Sequence, residues 1–422
     1  MMTSDNGDKE AYVWIWLPEA LDPIVAGKLE TDGQGNIQFN YGRSYLERIN
    51  AHPPAIAIYE PELPLQRGVL PLPNGLTMPG SIRDAAPDAW GRRVILNKKL
   101  GGKGRDTDTT LLSELSYLLE SGSDRIGALD FQRSPSNYLP RSATNVPLEE
   151  LLESAARVEQ GVPLTPELDQ ALFYGSSIGG ARPKALIEDK GTKYIAKFSS
   201  STDLYSVVKA EFIAMRLASF AGIHASPVKL VRAAQKDVLL IERFDRTKEA
   251  DGWTRKAMVS ALTLLGLDEM MARYASYEVL AEVIRHRFDD PKQTLKELFA
   301  RIVFNILCGN TDDHARNHAA FWNGKTLKLT PAYDICPQPR AGYEATQAML
   351  ISGDNRLSKL KSCLNAAPRF QLTQADVNAI FNSQREAIEN NWKTVCDEAA
   401  LSAVDRQLLW KRQFLNPFAF ED

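Results

Sequence analysis

After a polar start, the uninterrupted apolar run Tyr12-Val13-Trp14-Ile15-Trp16-Leu17 predicts a strand. Asp32-Gly33-Gln34-Gly35-Asn36 has the composition of a turn, and residues 37–41 are expected as the partner strand. A proline-rich stretch over 53–79 precedes helical spacing that begins near Ala85 and carries Pro87-Asp88-Ala89-Trp90-Gly91-Arg92-Arg93. Residues 109–119 predict another helix, and 124–131 a turn entering a strand. Together these predict a small α+β subdomain over 11–135. Residues 133–147, rich in Ser, Pro and Asn, form a candidate linker, and helical spacing returns over 148–160. Between Gly175 and Ile241 short apolar runs alternate with turns, with one helix near 207–221. From Arg255 the pattern is mostly helical, broken by a turn-rich stretch at 310–339 and resumed over 372–414. A strand-rich half followed by a helix-rich half predicts an α+β fold of two lobes with a cleft between them. The N-lobe is expected over 148–250 and an all-helical C-lobe over 251–422.

Composition narrows the functional classes. The 422 residues are 44% hydrophobic and 24% charged, with a formal net charge of −3. Such a chain can bury a large core without staples, and it has no basic excess of the kind that nucleic acid attracts. The four cysteines, Cys308, Cys336, Cys363 and Cys396, form no CxxC pair, which suits a reducing cytoplasm. The acidic N-terminus lacks the pattern of a secretory leader, and no apolar run is long enough to cross a membrane.

The chemistry lies in four segments. Phosphoryl transfer needs positioned phosphates, metal ions that neutralise their charge, and a group that takes the hydroxyl proton. Protein kinases supply these in a fixed chain order, and the same order can be read here. Gly175-Ser176-Ser177-Ile178-Gly179-Gly180-Ala181 is a loop of small residues whose backbone N–H groups can approach phosphate oxygens; no Gly-Lys-Ser/Thr closes it, so it is not a Walker A loop. Lys197, inside the apolar run Tyr194-Ile195-Ala196-Lys197-Phe198, needs a partner, and Glu211 in the next helix can hold it toward the α- and β-phosphates. Asp312 and Asn317, in Asn310-Thr311-Asp312-Asp313-His314-Ala315-Arg316-Asn317, have the spacing of a kinase catalytic loop; Asp313 misses it by one. Asp312 is then the proton acceptor, Asn317 a Mg²⁺ ligand, and His314 a brace for the loop. Asp334, seventeen residues beyond Asn317, is the second metal ligand, followed by Ile335-Cys336 rather than Phe-Gly. The strand end Glu242-Arg243-Phe244 lies where a hinge would read adenine. Each segment alone also fits a flexible loop, an edge-strand charge, a solvated helix charge or an Asx turn. It is their order that favours an ATP-dependent kinase.

The chain resembles the HipA family of bacterial toxin kinases. The marks are Asp88-Ala89-Trp90-Gly91-Arg92, Leu115 to Leu119 with Asp124 to Leu129, Ser177 to Lys184, Glu242 to Arg246, Asn310 to Asn317 and Pro331-Ala332-Tyr333-Asp334. The resemblance implies a serine/threonine-protein kinase of a toxin–antitoxin pair, using ATP and Mg²⁺, with ATP contacts at Ser177, Gly179, Gly180, Ala181 and Lys184. It implies growth arrest through phosphorylation of a translation component such as an aminoacyl-tRNA synthetase. It also implies a HipB-like helix-turn-helix antitoxin that makes most of the DNA contact, and shut-off by autophosphorylation at Ser177 or its neighbour Ser176. Two departures, Gly179-Gly180-Ala181-Arg182-Pro183-Lys184 for Ala-Gly-Ala-Gln-Glu-Lys and Asp313 for a glycine, bear on the target more than on the chemistry. A lipid kinase shares the Asp-to-Asn spacing, a small-molecule kinase is a further alternative with related chemistry, and a catalytically silent subunit of a repressor complex is the non-enzyme alternative. His314 and His318 without an HExxH pattern argue against zinc hydrolysis.

Overall fold

A computed structural model describes residues 8–100, 108–142, 146–162, 182–200, 203 and 205–421. Strands β1 (Glu10–Ile15), β2 (Ile24–Thr31), β3 (Ile37–Tyr41) and β4 (Leu129–Gln132) form an antiparallel sheet ordered β3-β2-β1-β4. The strand at 37–41 is where the sequence puts it, but its partner is β2 and not β1. β2 escapes notice because Gly27 and the charges Lys28 and Glu30 interrupt its apolar pattern. Gly27 is obligatory, since a Cβ there would lie 2.2 Å from Asn40 O. Alternate residues of the sheet, among them Val13, Ile15, Leu29, Phe39 and Phe131, bury against Leu115, Leu118 and Leu119.

Helix Ala89–Leu100 starts four residues later than the pattern suggests. Pro87 disfavours helical backbone before it, and Asp88 accepts the Gly91 N–H at 3.0 Å as a cap. The 109–119 segment divides at Ser113, whose side chain caps helix Glu114–Glu120 after a single 3₁₀ turn at Thr109–Leu111.

A second antiparallel sheet, ordered β5-β6-β8-β7, is made by β5 (Lys184–Asp189), β6 (Thr192–Phe198), β7 (Val228–Ala233) and β8 (Lys236–Glu242). Helix Val207–Phe220 packs on β7 and β8. A hairpin, β9 (Arg246–Glu249) with β10 (Gly252–Arg255), leads out of this sheet. The C-terminal half is mainly helical, with Tyr277–Arg287, Pro291–Cys308 and Gln374–Glu398 as its longest members. It is not all-helical. Strands β11 (Ala257–Ser260), β12 (Ala319–Trp322) and β13 (Leu327–Leu329) make a small antiparallel sheet. These strands are three or four residues long, too short for period-two alternation to stand out from helical spacing. The α+β, protein-kinase-like two-lobed class stands.

Candidate active site

Lys197 sits on β6, and its ammonium donates to Glu211 Oε1 at 2.6 Å and to Asp334 Oδ1. Glu211 is on the helix that crosses behind the sheet, and both residues are buried. Burial opposes the charge on Lys197, but the two carboxylates outweigh it and raise its pKa. Against the same burial, Lys197 and Lys184 hold the Asp334 carboxyl below the usual carboxylate range. Burial, with Asp334 adding to it, pushes Glu211 up. Asp334 also has φ of +58°, a left-handed backbone unusual for an aspartate, which aims its carboxylate back at Lys197.

Lys184 faces Lys197 in the β5–β6 register. Its ammonium lies 3.4 Å from Asp88, at the head of the N-terminal subdomain's helix, and Trp90 Nε1 donates to Lys184 O at 3.0 Å. Burial lowers the Lys184 pKa, with Lys197 adding to the effect.

Helix Pro291–Cys308 ends at Gly309, whose φ of +74° and close approach to Gln413 O exclude a side chain. The loop after it is built around Asp313. Its carboxylate accepts from Asn305 Nδ2 at 2.7 Å, from Tyr277 Oη, and pairs with His318 Nε2 at 3.0 Å. With Asp313 turned inward, Asp312 is exposed. Partial burial of its carboxyl raises its pKa, Asp334 and Asp313 add to this, and His314 opposes it. Asn317 Nδ2 donates to Asp312 O at 3.2 Å, and this fixes the side-chain amide while leaving Oδ1 for another partner. The His314 N–H donates to Asp312 O at 2.8 Å, and the His314 side chain lines the cleft with Asn317 and Asp334. The bonds that brace the loop therefore run through His318, Asn305 and Tyr277. Tyr333 Oη adds a bond to Arg316 O at 2.6 Å, tying the Asp334 turn to the loop.

The cleft has a volume of about 880 Å³ and is lined by Lys197, Glu242, Phe244, His314, Asn317 and Asp334 among others. At the expected hinge, the Glu242 N–H is taken by Pro227 O and its carbonyl by Ser226 Oγ. The Phe244 ring packs on Tyr333, 5.6 Å between centroids. The expected loop residues Ser176, Ser177, Gly179, Gly180 and Ala181 lie outside the described residues.

A sequence profile described as HipA-like C-terminal domain matches residues 176–392, and one described as HipA N-terminal domain matches 18–132. The chain belongs to the HipA family. "Putative kinase Y4mE" of Sinorhizobium fredii is 26% identical to it, over 74% of this chain and 75% of that protein. "Serine/threonine-protein kinase toxin HipA" of Shewanella oneidensis is 24% identical over 38% of this chain, and a putative kinase of Haemophilus influenzae 28% identical over 39%. Those two matches span 42% and 54% of the relatives' own lengths, about half. A solved structure of Shewanella oneidensis HipA with HipB and operator DNA superposes with a TM-score of 0.67 at 19% identity, over 94% of this chain and 98% of that one. This chain is a kinase.

Asp88 and Asp313 have no role assigned from the sequence, while His318 reads there as structural and pairs with Asp313. The five-residue spacing of Asp313 and His318 was a usable signal. The contact of Asp88 with Lys184, 96 residues away, left none.

Proposed function

We propose that this HipA-family kinase transfers phosphate from ATP, with Mg²⁺, to serine or threonine of a protein. We propose further that it is the toxin of a toxin–antitoxin pair acting in the cytoplasm. The observation that carries the reading is the pairing of Lys197 with Glu211 and Asp334 at a cleft that Asn317 also lines, with Asp312 close enough to feel the Asp334 charge. Lys197, kept charged by its two carboxylates, binds the α- and β-phosphates, and Glu211 holds its position. Phe244 lines the adenine end, and Lys184 adds a second cation on the same sheet face. Asp334 and the free Asn317 Oδ1 are hard oxygen donors of the kind Mg²⁺ takes, and they would hold it. Bound there, Mg²⁺ neutralises phosphate charge. Asp312, exposed on the same loop as Asn317, accepts the proton of the attacking hydroxyl; its raised pKa brings it closer to the proton it takes. Asp313 cannot take this role, because three neighbours already hold its carboxylate.

A HipB-like helix-turn-helix partner carrying most of the DNA contact is proposed from the relative solved with HipB and operator DNA. A translation component such as an aminoacyl-tRNA synthetase is proposed as target, and the loop serines Ser177 or Ser176 as shut-off sites. Added phosphate charge in a loop that holds phosphates repels ATP.

The test is incubation of the purified chain with labelled ATP and Mg²⁺ beside Asp312→Asn, with sites mapped by mass spectrometry. The expected outcome is labelled protein in the unsubstituted chain, loss of about 10²–10⁴-fold in the variant, and loss with EDTA. Equal label in both would remove Asp312 from the mechanism. An absence of label on a chain that binds ATP would favour a silent subunit.

A further inference from the structure

The cleft wall supplied by the N-terminal subdomain contains a cation that no carboxylate among the described residues answers. Arg83, Arg92, Lys197, Arg243 and Arg316 are the lysines and arginines lining the cleft. Four are paired: Arg92 with Glu114, Lys197 with Glu211 and Asp334, Arg243 with Asp124 and Asp245, and Arg316 with Glu269. Arg83 has no ion pair among the described residues. It is 8% exposed, and its Nε and one terminal nitrogen are buried without an acceptor. Carboxylates near it in sequence are committed elsewhere: Asp88 pairs with Lys184 and accepts the Gly91 N–H. Asp84 accepts from the N–H and hydroxyl of Ser260, both at 2.7 Å, and Glu62 accepts from the N–H groups of Gly80 and Ser81.

A buried guanidinium without a partner is costly, so its place in a cleft wall points to an anion that arrives from outside. The planar fork favours bidentate capture of a carboxylate or phosphate. Position separates the two. The Asp84–Ser260 bonds tie this wall to β11, and Ser260 pairs with Ala319, two residues past Asn317. The candidate phosphate-binding lysines, Lys184 and Lys197, stand instead on β5 and β6. The cleft that Arg83 lines also carries the apolar residues Ile58, Leu76, Met78, Met258 and Leu262. A volume of about 880 Å³ lies toward the upper end of the roughly 300–1,000 Å³ usual for one small ligand.

We propose that Arg83 is a specificity determinant which receives an aspartate or glutamate of the protein segment being phosphorylated, flanked there by apolar residues. The inference rests on the protein-kinase reading above and names the acceptor class for that site.

The test is binding rather than turnover, so it does not depend on transfer. The full Asp312→Asn chain, with ADP and Mg²⁺, is titrated with fluorescein-labelled peptides carrying Glu or Gln at one position among apolar residues. The same titration is run with Arg83→Met and Arg83→Lys added. Tighter binding of the Glu peptide by about tenfold is expected, abolished by Arg83→Met and partly kept by Arg83→Lys. The melting temperature of Arg83→Met is expected to stay level or rise, because an unpaired buried charge has been removed. Equal binding of the Glu and Gln peptides, or binding of neither, would overturn the proposal. So would a matching loss of ADP affinity in Arg83→Met, which would give Arg83 to the nucleotide phosphates. A large fall in melting temperature restored by Arg83→Lys would mark a structural role and overturn it too. Failure of the kinase reading is read separately, by labelled-ATP transfer in the unsubstituted chain.

Discussion

Lys197 is the residue on which the site's electrostatics turn. It stands between Glu211 and Asp334, and each carboxylate is tolerable where it is because the ammonium is there. Removing it leaves two acidic groups facing each other in a half-dry pocket. Lys197→Met is therefore expected to lose phosphate transfer and about 3–5 kcal/mol of stability, measured by urea unfolding. Adding Glu211→Gln to that variant is expected to recover stability without recovering transfer. Recovery of both would mean that the lysine acts only as structural cement. At the same scale, Asp312 and Asp313 show how one residue's position divides roles. Adjacent and chemically identical, one is exposed and the other is held by Tyr277, Asn305 and His318.

Among the elements, helix Ala89–Leu100 couples the N-terminal subdomain to the phosphate-binding sheet. Its Trp90 is 1% exposed, packs with Val94 against Ala185 and Ala196, and donates to the Lys184 carbonyl. Asp88 at its start meets the Lys184 ammonium. The helix therefore fixes one strand residue by both its backbone and its side chain. Trp90→Ala is expected to cost about 3–5 kcal/mol by thermal or denaturant unfolding. Nucleotide affinity is expected to fall at temperatures where the variant is still folded, measured by titration with ADP and Mg²⁺. A stability loss with unchanged nucleotide affinity would separate the helix from the site.

Over the whole molecule, the N-terminal subdomain is joined to the rest through a buried ionic seam. Asp124 pairs with Lys193, Arg243 and Arg246, and Asp245 pairs with the same two arginines and accepts the Gly127 N–H at 2.9 Å. Against burial, the arginines hold the Asp245 carboxyl down to about 2. A depressed carboxylate stabilises the fold fully above its unfolded pKa, near 4, and the contribution is lost as pH falls through its folded value. Asp245 is thus expected to contribute about 2 kcal/mol that disappears between about pH 4 and pH 2. Unfolding free energies across that window should fall less steeply for Asp245→Asn than for the unsubstituted chain. Parallel slopes would show that the seam does not carry the acid sensitivity. The motif Glu242 to Arg246, read in the sequence as a hinge, is also half of this seam.

The sequence by itself determined the class of fold, the order of the lobes and the kinase-type spacing of Asp312 and Asn317. Periodicity and motif spacing are local, and short-range sterics and hydrogen bonding fix them along the chain. Helix Leu148–Gln160 matches its predicted bounds for this reason, with Gly161 closing it in a left-handed turn. What needed the tertiary structure was every pairing between distant segments. Lys197 with Asp334, Lys184 with Asp88, Asp124 with Arg243 and Arg246, and β2 between β1 and β3 all join residues whose own neighbourhoods give no sign of a partner. A charge in a sequence reads the same whether it faces water or a buried counter-ion. Only folding, by removing the water, decides which charges need partners and which, like Arg83, are left without one among the described residues.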